Sequence, residues 1–219
     1  MTEQKVRPKA AEPGKAERQR ELADSGNAER QDEAADPGKS EIPCEAVKLL
    51  AGVNRIWNHP LYRQEYAGLQ ELERDRIWCG HDLQHFLDTA RLMWIRNLEE
   101  GGQLKKDLIY AAALLHDLGR ARQYTDGTPH DEAGVQLAEE ILPACGYTAT
   151  ETRLVCAAIA GHRGSCRSGM TVQTEQAEAA RKLAAYLYRA DKESRNCMIC
   201  SAADTCNWPE KKKNLTLKG

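Results

Sequence analysis

The fold turns on Ala111-Ala-Ala-Leu-Leu-His116-Asp117-Leu-Gly119-Arg120-Ala-Arg122, an apolar run that breaks into an imidazole, a carboxylate and a glycine. Leu104, Leu108, Ala111, Leu115 and Leu118 recur at helical spacing, and Ala112, Ala113 and Leu114 fill the remaining faces. A helix apolar nearly all round is a buried one. Gly119 reads as its stop, because glycine accepts the left-handed conformation that closes many helices. His116 and Asp117 therefore stand at the inner end of a core helix. A buried carboxylate needs a cation or dense hydrogen bonding. Either Asp117 caps something local beside a satisfied core histidine, or the pair holds an ion.

Outward from this run the periodicity stays helical. It predicts helices over 44–57 and 61–74, with His59-Pro60 as the break. Further helices are predicted over 81–98, 105–118, 131–142 (stopped by Pro143), 151–162 (ended by Arg163-Gly164) and 175 to about 195. No alternating segment is rich in valine, isoleucine and threonine, so the class is all-α, with a helical domain over 43–195. Residues 1–42 differ in kind. They repeat weakly with a period of 12 (11–19, 23–31, 35–41) and offer almost nothing to bury. Such composition does not offset the entropy of ordering, so a disordered tail is expected; a short-repeat solenoid would need an apolar face to stack.

The chain has 219 residues and a formal charge of -2, too balanced to argue for nucleic acid or an anionic membrane as the main partner. It contains no run of about 18 apolar residues and no apolar leader core. A cytoplasmic protein is expected, and its 8 cysteines read as thiols or metal ligands before disulfides.

The phases of the six histidines matter more than their number. His81, His85, Asp88, Leu92 and Ile95 fall on one face, so two imidazoles and a carboxylate continue an apolar stripe. His130 precedes Gly134, Leu137 and Ile141 at the same spacing, and His162 ends a helix carrying Val155 and Ile159 inward. Asp191 follows Ala177, Ala180, Ala184 and Leu187, standing where a leucine is expected. One such residue is usually a hydrogen-bonded core group; several on inward phases in one domain point to a metal. Imidazole with carboxylate suits manganese, iron, zinc, nickel or cobalt better than calcium, and a bridging aspartate allows two ions.

The order His85, His116-Asp117, His130, His162, Asp191 resembles the HD-domain superfamily of metal-dependent phosphohydrolases, over about residues 79–195. The resemblance implies that His85, His116, Asp117 and Asp191 hold one metal. It places His130 and His162 where dinuclear members hold a second, with Asp117 bridging. His81 and Asp82 have no assured family role; they read as partners of the ligands or substrate contacts, or else as a helix-start cap. The ligand order is similar to that of symmetrical diadenosine tetraphosphate hydrolases and cyclic-dinucleotide phosphodiesterases. The missing glycine-tyrosine-proline extension counts against the latter.

A metal-activated water would make Asp117 and Arg120 the catalytic candidates, acting on a small phosphorylated substrate such as a nucleotide. Arg120, Arg122, Arg163 and Lys192 are the phosphate-contact candidates, Arg120 first because guanidinium matches phosphate bidentately; His81 joins them. Ordinary solvated charge is the other reading, and the better one for Arg122 and Arg163. Residues 124–129 read as a loop over the pocket. A non-catalytic nucleotide- or partner-binding module and a di-iron oxygenase are the competing functions. After Asp191, Cys197-x-x-Cys200 and Cys206 look like three ligands of a zinc or iron–sulfur site. A fourth would come from elsewhere, for instance Cys79 or Cys166; otherwise these are reduced thiols in a small appendage around Trp208.

Overall fold

The computed structural model of the protein describes residues 50–162 and 175–216. The predicted tail over 1–42, the start of the first predicted helix, Arg163 and Cys166 lie outside the described residues. The described part is helical without strands, as the periodicity requires. Its helices are α1 Ala51–Asn58, α2 Pro60–Leu72, α3 Leu83–Glu99, α4 Lys106–Leu115, α5 Arg120–Thr125, α6 His130–Ala144, α7 Ala149–Gly161 and α8 Glu175–Glu193. Two short 3-10 turns, Cys197–Ile199 and Glu210–Lys212, follow.

Local signals explain most boundaries. His59 is extended and serves both as C-cap of α1 and N-cap of α2, with Pro60 at the first helical position, where its missing N–H costs nothing. Asp82 caps α3, its Oδ1 accepting the His85 N–H at 2.8 Å. Thr148 and Glu151 form a reciprocal capping box at the start of α7. Two expected stops act differently. Pro143 lies inside α6, where it lacks only the bond to the carbonyl of exposed Glu139. The actual stop is Gly146 at φ 82: its N–H reaches Pro143 O and the next N–H, of Tyr147, reaches Leu142 O, a Schellman closure. Gly119 is right-handed, φ -67, so it does not close α4 by a left-handed turn.

α4 is the central helix, with Leu108, Ile109, Ala111 to Leu115 and Leu118 buried. α3 packs on α4 and α8, while α7 packs on α6 and α8. Their inward faces meet through Phe86, Met93, Leu137, Ile141, Ile159 and Leu187. Each such side chain contributes about 1.5–3 kcal/mol on burial. The stripe of α3 runs through His85, Phe86, Thr89, Ala90, Met93 and Asn97, rotated from the predicted face. Asp88 turns outward to Gln84 and Arg91, and Ile95 is exposed. His81 precedes α3 in an irregular segment. No helix among the described residues is long and apolar enough to cross a membrane.

Candidate metal centre

Helix ends build the centre. α4 delivers His116 and Asp117 as it stops, α3 brings His85 in its first turn, and α8 brings Asp191 in its last. His130 opens α6 and His162 caps the end of α7. Asp117 is wholly buried, and its two oxygens face different partners. Oδ2 lies 3.0 Å from His116 Nε2, 3.7 Å from His81 Nε2 and 3.8 Å from His85 Nε2. Oδ1 accepts from Arg120 Nε at 2.7 Å and lies 3.5 Å and 3.9 Å from Nε2 of His130 and His162. Asp191 Oδ1 stands 3.4 Å from His85 Nε2 and 3.8 Å from His116 Nε2. Donor atoms within 4.8 Å of one another thus form two groups among the described residues: His85, His116, Asp117, Asp191, and Asp117, His130, His162.

One feature recurs at the five imidazoles of the centre. Nδ1 is held by an acceptor: Glu73 for His81, Ser194 for His85, Ala113 O for His116, Gln123 for His130 and Ile159 O for His162. Ser194 Oγ gives its own proton to Asp191 O, so it accepts from His85. With the proton assigned to Nδ1 by these bonds, each Nε2 lone pair is aimed at the centre, the orientation a metal-ligating histidine needs. His130 Nε2 and His162 Nε2 face each other at 3.2 Å, where two lone pairs repel unless positive charge lies between them. His116 Nε2 and Asp117 Oδ2 are buried without a hydrogen-bond partner. The donor set therefore fits a cation.

The electrostatics agree. Burial pushes the His116 imidazole down, but the Asp117 and Asp191 charges outweigh it and raise it to about 9. The carboxylates thus call for positive charge at Nε2, whether proton or metal. Burial alone would raise Asp117, but His116 and Arg120 hold it far below the usual carboxylate range. Burial holds the His81 imidazole low. Its partner Glu73, which burial would raise, is brought down to about 2 by the bonds from His81 and Tyr124. The pair is a neutral imidazole donating to an ionised carboxylate.

The sequence candidates separate. Arg120 is in the centre. Lys192 reaches its edge, 3.4 Å from Asp191 Oδ2 and stacked over Tyr188. Arg122 is not drawn into the centre: it donates to Glu65 at 2.7 Å. The loop expected over 124–129 is shorter: Tyr124 and Thr125 belong to α5, where the Tyr124 phenol donates to Glu73, and residues 126–129 alone are irregular. Other participants escaped the sequence reading. Arg195 Nη2 donates to His85 Nε2 at 3.0 Å and Asp191 Oδ1 at 3.1 Å, and its Nη1 donates to Gly80 O. Its place four residues after Asp191 was a readable signal. Glu73, eight residues before His81, gave none.

Helix termini gathering histidines and aspartates around one buried Asp117 define the class: the chain belongs to the HD domain family, whose model matches residues 82–205. It is also 38% identical over 164 residues to an uncharacterized protein of Clostridium beijerinckii, covering 75% of this chain and 96% of that one. No solved structure matches it. Family and buried donors together point to a metal-dependent hydrolase.

Proposed function

We propose that the protein is a phosphohydrolase holding two divalent transition-metal ions and acting on a small phosphorylated substrate, a nucleotide. The observation that carries this is the division of Asp117, one oxygen toward His85, His116 and Asp191 and the other toward His130 and His162. A carboxylate so shared is suited to bridge two ions. When bound, the ions supply a water acidic enough to attack at neutral pH and a Lewis acid for the phosphoryl oxygens. Arg120, fixed at Nε by Asp117, presents its Nη edge to a phosphoryl oxygen and stabilises charge developing there. His81, held at Nδ1 by Glu73, offers Nε2 as a proton acceptor beside Asp117. Lys192 and Arg195 add positive charge at the rim. Exposed Trp78 and Tyr124 flank the segment carrying His81 and supply planar faces on which a base stacks, which supports a nucleotide.

The test is hydrolysis of p-nitrophenyl phosphate, bis(p-nitrophenyl) phosphate and a nucleotide panel by manganese-loaded protein, with metal content measured on the same samples. Wild type is expected to hold about two ions and turn over, His130→Ala to lose one ion, and Asp117→Ala to lose turnover. Wild type that carries two ions and cleaves nothing would overturn the enzyme reading in favour of a binding module. Oxygen-dependent spectral change of an iron-loaded protein would favour an oxygenase.

A further inference from the structure

Residues 196–216 present a physical problem. Apart from Ala202 none of them is buried, yet they follow a defined path through two 3-10 turns. Fixing a backbone costs conformational entropy at every residue, and a segment with so little apolar burial must be ordered by other means. Part of the answer is polar: Asn214 Nδ2 donates to the carbonyls of Lys192 at 2.7 Å and Arg195 at 2.9 Å, and Lys213 Nζ donates to Ala203 O at 2.6 Å. These bonds hold the far end of the segment. The near end carries Cys197, Cys200 and Cys206, each half-buried and none in a disulfide.

A fourth thiol faces them. Cys79, two residues before His81, lines one cavity of about 230 Å³ together with Cys197, Cys200 and Arg195. The backbone of its segment is tied to the same place by the bond from Arg195 Nη1 to Gly80 O, 2.7 Å. Burial pushes the Cys79 thiol up, and Cys197, Cys200 and Cys206 all lie near enough to push it further, which puts Cys206 in the same neighbourhood. Cys200 N–H donates to Cys197 O at 3.3 Å, closing the turn of the C-x-x-C pair.

We propose that Cys79, Cys197, Cys200 and Cys206 form a four-thiolate site for one structural zinc ion, separate from the histidine–aspartate centre. Four soft donors with no place left for a substrate are the donor set of a closed tetrahedral zinc site. Among the described residues the donor groups gathered within 4.8 Å are the two histidine–aspartate sets, so the four sulfurs must be drawn together by the ion, each giving up its proton. The ion would staple the segment carrying His81 to the one that follows Asp191. His81 and Arg195 would then be fixed relative to each other by a bond network that neither helix supplies.

Cobalt(II) titration of the full-length, reduced, metal-stripped protein tests this. A thiolate-to-cobalt charge-transfer band in the near ultraviolet reads the cysteines alone, because the other centre contains no sulfur; its outcome is therefore independent of the hydrolase reading. The band should saturate with one ion, be lost in Cys79→Ser and Cys200→Ser, and persist in Cys156→Ser, which alters a thiol on α7. Zinc should displace the cobalt. No band in wild type, or a full-strength band in Cys79→Ser, overturns the proposal. Should Cys79→Ser fail to fold, zinc protection of wild-type thiols from alkylation decides instead. Mass mapping should find Cys79, Cys197, Cys200 and Cys206 protected; free alkylation of Cys79 in the zinc-loaded protein overturns the site.

Discussion

Replacing Gly119 by alanine should cost stability and open the seam between Asp117 and His130. A Cβ at Gly119 would stand 2.3 Å from His130 O, 2.6 Å from Gly134 N and 2.9 Å from Ala133 Cβ. Two of these are backbone atoms of the first turns of α6, so no side chain can swing aside. Relief requires moving α6 and the turn after α4 apart by roughly 1.1 Å, the difference between the 2.3 Å approach and the 3.4 Å at which ordinary contact begins. Forced overpacking of this kind costs about 1–3 kcal/mol. The residue is right-handed, so alanine brings no backbone strain and recovers about 0.4–1 kcal/mol by stiffening the unfolded chain. The net cost is about 0–2.6 kcal/mol, and at about 2–4 °C per kcal/mol for a domain of this size the melting temperature should fall by up to roughly 10 °C. The same displacement lengthens the 3.5 Å approach of His130 to Asp117 Oδ1, so one metal equivalent should weaken or be lost. Gly68→Ala is the control: a Cβ there meets nothing within 4 Å in the middle of α2, and should stabilise by about 0.5–1 kcal/mol. Circular-dichroism melts and elemental analysis decide the matter. A Gly119→Ala protein that melts with wild type and holds as many ions would refute the packing argument.

Two further outcomes separate residues that look alike in the sequence. Arg120→Ala should lower kcat about 10²–10³-fold by removing a donor aimed at developing charge. Arg122→Ala should leave steady-state kinetics at wild-type level and cost at most about 1 kcal/mol, the value of a partly exposed ion pair. Equal losses in the two would contradict the placement. Glu73 titrates at about 2 in the folded chain against an ordinary 4.5, so its contribution is complete above the usual carboxylate range and is lost as pH falls toward 2. The melting-temperature gap between wild type and Glu73→Gln should therefore shrink as pH falls from about 5 to about 2; a constant gap would show that the carboxylate charge is not what holds His81.

The sequence made the interior of the centre readable because polar groups on apolar faces are costly. His116, Asp117, His130, His162 and Asp191 interrupt helical periods where leucine or alanine is expected, and the structure brings those residues together with His85. What lay outside regular periods was hidden. Glu73 and His81 meet across an irregular segment, and Tyr124 joins them from a six-residue helix too short to show a period. Gly119 was noticed for its conformational freedom, whereas the fold uses its lack of a side chain. Pro143 misled because proline rules apply to helix interiors, and this one sits in a last turn closed by Gly146. Asp88 shares a nominal face with His85, but α3 is rotated so that it reaches solvent.

The order in which the donors occur along the chain has a consequence for the protein's birth. Synthesis runs from the N-terminus, and segments pack as they emerge. Asp117, His130 and His162 have all been made once α7 is complete, while the group with His85 and His116 waits for Asp191 at the end of α8. The two pockets are therefore finished at different times. The nascent chain passes through a stage with a whole three-donor set beside a four-donor set short of one carboxylate, and docking of α8 is the event that completes the second.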